Sequence, residues 1–378
     1  MGVDIDPFHA ISISKIAHDL KAQGRSIIHM EFGQPSTGAP ARAIEEARTI
    51  LSAESLGYWE SAPLKKRLCQ HYADTYGVSV RPGQIAITAG ASAALVSALA
   101  CRFSAGDTIA MARPGYVSYR NSVKALGMNA LELDCGPETR FSLTAERIAT
   151  LDPAPDGLII ASPANPTGTI MSGEELSAIA GVCRERGIAI ISDEIYHGLS
   201  YTRRTHSILE FEPGAFVINS FSKYFSMAGW RLGWLLAPDS YADKAAAYTG
   251  ILFLTAPSLA QHAALITLDE TDELQGHLET YTANRALLLK ALPQLGLDEI
   301  APPDGAFYVY ANIERFSDDS MSMCKDILRD TGVVLAPGID FDPLNGHRYI
   351  RFSFAVSTAE TREAIKRLAP WFEARART

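Results

Sequence analysis

Residues 157–193 read GLIIASPANPTGTIMSGEELSAIAGVCRERGIAIISD. Two short β-branched and apolar runs, Gly157–Ser162 and Ile188–Ser192, flank an amphipathic stretch, Gly173–Arg186. The runs are strand-sized and continuously apolar, as a sheet covered on both faces requires. Ser172, with Glu175 three residues on, forms a capping box that opens a helix between them. Strand, helix and strand in this spacing make a βαβ unit, whose strands run parallel.

The same rhythm recurs on either side. Gln84–Thr88, Asp107–Ala112, Ala215–Asn219 and Gly233–Ala237 read as further strands, and Ala91–Phe103 as a helix. The expected fold is therefore α/β, with a large domain over residues 46–262 built on a mostly parallel, helix-covered sheet. From about residue 263 the pattern changes. A long helical stretch, Ala263–Leu292, precedes a strand-like run at Phe307–Asn312, a helix at Ser320–Thr331, a strand at Tyr349–Phe354 and a last helix from Ala359. These form a smaller α+β domain, residues 263–378, completed by residues 1–45. A cleft between two such domains is the expected ligand site.

Composition narrows the partners. The 378 residues are 47% hydrophobic and 20% charged, which suits two folded domains and excludes disorder and coiled coil. A net charge of −9, from 34 basic and 43 acidic residues, argues against nucleic acid or an anionic membrane as partner. No apolar stretch is long enough to span a bilayer. The start, Met1-Gly-Val-Asp-Ile-Asp-Pro, has acids where a signal peptide needs bases, and Asp6 breaks the myristoylation pattern. The expected location is cytoplasmic. The cysteines, Cys69, Cys101, Cys135, Cys183 and Cys324, are scattered, without C-x-x-C or zinc-ligand spacing, and read as ordinary buried thiols.

In an open α/β sheet, ligands sit beyond the carboxyl ends of the strands. After Gln84–Thr88 comes Thr88-Ala-Gly-Ala-Ser-Ala, a turn of small residues opening a helix. It is either an anion site of free amides or a tight packing turn. Asn165 follows the strand Gly157–Ser162, as a ligand group or as a turn starter. Asp193 and Tyr196 follow another, as site residues or as a helix cap and its packing. Lys223, beyond Ala215–Asn219, is either a surface lysine or one desolvated near a ligand, where it becomes a competent amine nucleophile. Arg231 suits bidentate binding of phosphate or carboxylate. Together they place an anion cradle, an acid, a phenol, an amide, an amine and a guanidinium at successive strand ends of one sheet. Ser220-x-x-Lys223 also matches a serine acylation motif, but the Ser-Asp-Asn and Lys-Thr-Gly tripeptides that it needs are absent. No dinucleotide fingerprint or P-loop occurs.

With these motifs in order, the chain resembles the fold-type I, pyridoxal 5′-phosphate-dependent aminotransferases of classes I and II. The resemblance runs from Phe32-Gly-Gln-Pro through Asn165-Pro-Thr-Gly, Asp193-Glu-Ile-Tyr196, Ser-Phe-Ser-Lys223 and Gly-Trp-Arg231-Leu-Gly to Gly305-Ala-Phe-Tyr and Arg351-Phe-Ser-Phe-Ala. It implies that Lys223 holds the cofactor as the internal aldimine and, once displaced, carries the proton in a 1,3-shift. Asp193 would pair with the pyridinium nitrogen, keeping the ring an electron sink. Asn165 and Tyr196 would bind its phenolic oxygen, and Tyr116 would lie against its face. The amides of Ala91 and Ser92, the hydroxyls of Ser220 and Ser222, and Arg231 would hold the phosphate. Arg351 and the backbone of Gly33 would bind the substrate α-carboxylate, with Asn165 beside them.

Tyr58 resembles the tyrosine that reaches the phosphate of a neighbouring subunit, which implies a homodimer. Its segment, Tyr58-Trp-Glu-Ser-Ala-Pro-Leu-Lys, is shortened and lacks the usual glycine, and Ser36 and Thr37 replace the commoner residues after Gln-Pro. The implied activity is transfer of an amino group from an L-amino acid to a 2-oxo acid by a ping-pong route. A carbon–sulfur lyase working by β-elimination is the alternative on the same fold. No second arginine is placed for an acidic side chain, and Tyr58, Trp59 and the Phe/Tyr-rich loops suit aromatic or aliphatic ones.

Overall fold

The computed structural model describes residues 4–376. The reading of Met1–Val3 as part of a leader-free start lies outside them. Seven strands form one sheet in the order Ile85–Thr88, Gly233–Leu236, Phe216–Ser220, Ala189–Asp193, Gly157–Ala161, Thr108–Arg113, Asn129–Asp134. All pairings are parallel except the two made by Gly233–Leu236. The fold is α/β, as expected, and the six expected strands lie within one residue of their expected bounds. The seventh, Asn129–Asp134, is an edge strand and mostly half-exposed. Glu132 interrupts its apolar residues to meet Arg120 at 3.6 Å, so the sequence carries no clean alternation there.

Side chains alternate between the two faces of this sheet. Ile85, Ile87, Leu158, Ile160, Val217 and Trp234 enter one core. Their neighbours Ala86, Ile159, Phe216, Ile218 and Leu235 enter the other. Burial on both faces explains why the strands read as unbroken apolar runs. The helix Gly173–Arg186 begins at the Ser172–Glu175 capping box and ends at Gly187, whose φ of 68° lets the chain turn back into the next strand.

A smaller antiparallel sheet runs Ala336–Pro337, Tyr349–Ser353, Tyr308–Asn312, and Ile28–His29 pairs with Val333–Val334 beside it. Its core draws on residues from 13–30 and 281–372, with Tyr196 and Leu199 reaching in from the large sheet. The expected long helix over 263–292 is two helices, Ser258–Thr267 and Thr271–Ala291. The break falls at Asp269-Glu270, and Asp272 and Glu273 then occupy the first turn of the second helix, where its dipole favours acids. The 45/46 and 262/263 boundaries lie inside Ala41–Ala53 and Ser258–Thr267, which pack together in the large core through Ala43, Ala47, Ala260 and Ala264. No helix of the described residues is long and apolar enough to cross a membrane.

Sheet polarity gathers the chemistry. The parallel strands deliver Asn165, Asp193 and Lys223 beyond one edge. Gly233–Leu236 runs the other way, so its entering end brings Arg231 to that same edge. Contact is tight there. A Cβ on Gly233 would lie 2.9 Å from the Gly90 carbonyl carbon and 3.0 Å from the Ala91 nitrogen.

Candidate active site

At that edge lies a cavity of about 430 Å³. Its lining includes Gly33, Ala91, Ser92, Tyr116, Asn165, Asp193, Tyr196, Ser222, Lys223, Arg231 and Arg351. Ser220 sits just beneath, buried, its Oγ accepting the Ser222 amide at 3.0 Å. Tyr58 is not brought in. It is 86% exposed on the outside of the molecule.

Two features of the wall suit a phosphate. The helix Ala91–Arg102 starts at Gly90, φ 83°, with no side chain capping its free amides. Arg231, itself left-handed at φ 54°, crosses this start, donating to the carbonyls of Ala228 at 3.0 Å and Ala89 at 3.4 Å. No carboxylate pairs with it among the described residues.

Arg351 is more unusual, because it is 1% exposed and also has no carboxylate partner among the described residues. Its guanidinium lies between the rings of Tyr308, at 4.2 Å, and Phe341, at 4.6 Å. Nη1 donates to Asn165 Oδ1 at 2.7 Å and Nη2 to the Glu31 carbonyl, while Nε has no partner. A buried cation left uncompensated is costly unless an anion arrives.

Lys223 donates to the Gly33 carbonyl and stands 5.7 Å from the Tyr196 ring centre. Burial, then the Arg351 and Arg231 cations, push its ammonium down to about 8 against the pull of Asp193. Part of it is therefore free amine at neutral pH. Asp193 accepts from the Tyr119 hydroxyl at 2.6 Å and the Ile195 amide at 3.0 Å. Burial pushes its carboxyl up to about 6, and those two donors, with Lys223, limit the rise. It stays largely anionic at pH 7.

This set meets the demands of pyridoxal 5′-phosphate: a partly neutral lysine for its aldehyde, a buried anion for its ring nitrogen, and an unpaired arginine with free amides for its phosphate. The comparisons agree. The family model for class I and II aminotransferases matches residues 25–368. The chain belongs to this family. It is 41% identical over 374 residues, 97% of this chain and 96% of the other, to valine–pyruvate aminotransferase of Mycobacterium tuberculosis. Among solved structures, an aminotransferase from Mycobacterium tuberculosis superposes with a TM-score of 0.95 at 40% identity, covering 98% and 97% of the two chains. Aspartate aminotransferase from Thermus thermophilus with maleate gives 0.90 at 29%, covering 97% of each. The protein is a pyridoxal 5′-phosphate-dependent aminotransferase, moving an amino group from an amino acid to a 2-oxo acid, and these relatives lend the lyase alternative no support.

Phe8, Tyr119 and Tyr308 are among the lining residues to which the sequence reading gives no role. Tyr119 lies in the first turn of the helix Val117–Ala125, three positions after its N-cap Tyr116, and its ring is edge-on to Tyr116 at 5.6 Å, so that spacing is the signal that was available. Tyr308 ends the Gly305-Ala-Phe-Tyr motif. Phe8 offers no signal. His197 is structural, bonded to the Ser162 carbonyl at 2.9 Å and the Tyr76 hydroxyl at 2.7 Å.

Tyr119→Phe removes a donor to an anion, which raises the Asp193 titration by about one pH unit. The anion exists above its titration point, so the pH below which the protein releases pyridoxal 5′-phosphate moves up in the variant. Cofactor retention against pH, measured by absorbance after ultrafiltration, reads this directly. Identical curves for variant and wild type exclude the role.

Proposed function

We propose that this chain is a cytoplasmic, homodimeric aminotransferase for amino acids with neutral, mainly aliphatic side chains, with pyruvate among its oxo acids. The observation that carries the reading is Arg351, a buried guanidinium with no carboxylate partner among the described residues, sharing a cavity with Lys223. Arg351 binds the α-carboxylate bidentately, with Asn165 and the Gly33 backbone beside it. Arg231, Ser220, Ser222 and the amides of Ala91 and Ser92 hold the phosphate. That leaves no lining arginine, among the described residues, for a second carboxylate, while Phe8, Phe32, Leu95 and Ile195 offer apolar walls. The name of the mycobacterial relative, with valine and pyruvate in it, fits this selection.

When bound, pyridoxal 5′-phosphate supplies the reactive aldehyde and the electron-withdrawing ring. Asp193 keeps a negative charge at the ring nitrogen, and Tyr116 packs on the ring face. Tyr196 and Asn165 donate to its phenolic oxygen. Lys223 takes the proton from the substrate Cα as general base and returns it as acid, a role suited to an amine titrating near neutrality. We place the division between the two domains before Ala41 and after Thr267, so that both boundary helices stay with the large core.

The dimer reading rests on an apolar face. Tyr58, Ile251 and Leu254 are 86%, 83% and 64% exposed, with Leu51 and Leu252 also open to solvent. The two segments are tied together where Thr255 donates to the Trp59 carbonyl at 2.7 Å. Exposed apolar residues gathered on two linked segments suit a protein interface, and they include the tyrosine that would serve a partner's phosphate. The cytoplasmic reading is supported by the five free cysteines, which suit a reducing compartment.

Loaded enzyme mixed with L-valine loses its visible band at least tenfold faster than with L-aspartate, and pyruvate restores it. Equal rates, or a preference for L-aspartate, contradict the substrate reading. For the dimer, Tyr58→Phe and Lys223→Ala chains, each weakly active or inactive alone, regain activity when co-refolded, because one site of each mixed dimer is then intact. A protein that sediments as a monomer, or a mixture that regains nothing, rejects the shared site.

A further inference from the structure

Tyr308 meets three parts of the site at once: Arg351, Tyr196 and the Gly33 backbone. Its ring lies beneath the Arg351 guanidinium at 4.2 Å. Its hydroxyl is 2.6 Å from that of Tyr196. A side chain on Gly33 would fall on that hydroxyl, so the bare Gly33 backbone is what lets the ring stand there. It is fully buried at the first position of the small sheet's edge strand Tyr308–Asn312, where it lies opposite Ser353, two residues from Arg351 on the neighbouring strand.

We infer that Tyr308 is a positioning residue with two separable duties: its ring face holds the Arg351 guanidinium, and its hydroxyl donates to Tyr196, leaving the Tyr196 proton for the cavity. The direction of that hydrogen bond follows from the cation. A guanidinium over the ring face withdraws electron density, which makes the Tyr308 hydroxyl the better donor of the two. A phenol that accepts one hydrogen bond then donates a stronger one through its own proton. The charged and titratable groups facing the pair are Arg351, Tyr116, Tyr119 and Lys223. One side chain thus aligns the group that grips the carboxylate and the group that binds the cofactor's oxygen. The inference rests on the roles given above to Arg351 and Tyr196.

Two substitutions separate the duties. Tyr308→Phe keeps the ring and removes the hydroxyl. Its affinity for 3-methylbutanoate, a carboxylate without an amino group, stays within about twofold of wild type. The pH midpoint of its bound-cofactor absorbance rises by about half a unit, because Tyr196 donates less strongly to the phenolic oxygen. Tyr308→Leu also removes the ring face, and its 3-methylbutanoate affinity falls about fivefold. Thermal melts of both variants without ligand, and retention of pyridoxal 5′-phosphate, establish that they are folded. An unchanged midpoint in Tyr308→Phe overturns the hydroxyl's duty, and equal 3-methylbutanoate affinity in Tyr308→Leu and wild type overturns the ring's. A wild-type protein that binds neither pyridoxal 5′-phosphate nor 3-methylbutanoate overturns the reading of the cavity itself, and this inference with it.

Discussion

A guanidinium with almost no access to water and, among the described residues, no counter-ion is the constraint around which this site is built. Arg351 cannot be neutralised, so its environment must hold a permanent charge. Two aromatic faces, an amide oxygen and a backbone carbonyl share that task, and none of them carries a formal charge. The charge is left to act on whatever enters the cavity. It acts on Lys223 too, where it adds to burial in pushing the ammonium down. One unpaired cation therefore supports both the anchoring of a carboxylate and the availability of an amine base.

Topology decides that these groups meet. Parallel strands send their carboxyl ends to one edge, and the single reversed strand turns its entering end the same way. Arg231 and the start of the helix Ala91–Arg102 meet across the Gly90 and Gly233 backbones, where Cβ atoms would collide. The small sheet then lays Arg351 and Tyr308 over the opening, with Tyr196 in its core, so that the two bodies share the cavity wall.

Much of this was legible in the sequence because it is local. The βαβ rhythm survives as apolar runs, since burial on both faces leaves no alternation to confuse, and the capping box marks a helix start by itself. Lys223, Asp193, Asn165 and Arg231 stand at strand ends, where position alone makes a polar residue informative. Other features depend on distant partners. The edge strand Asn129–Asp134 has no clean pattern because one of its residues answers to Arg120. The break at Asp269-Glu270 hides within a continuous helical periodicity. Tyr308 and Tyr119 look like core aromatics until the residues facing their hydroxyls are known. Phe8 reaches the cavity only because the amides of His9 and Ala10 are anchored on Asp340, at 2.6 and 2.9 Å, a contact between residues about 330 positions apart.

The most direct test of this account is the melting temperature of the cofactor-free protein and its Arg351→Met variant, with and without 3-methylbutanoate. If Arg351 is a buried charge awaiting an anion, the variant melts higher than wild type without ligand, by several degrees, because a costly charge has been replaced by an apolar side chain of similar length. The carboxylate then raises the melting temperature of the wild type and leaves that of the variant unchanged. A variant that melts lower than wild type and still responds to the carboxylate would show that Arg351 is structural, and that the substrate's acid group is bound elsewhere.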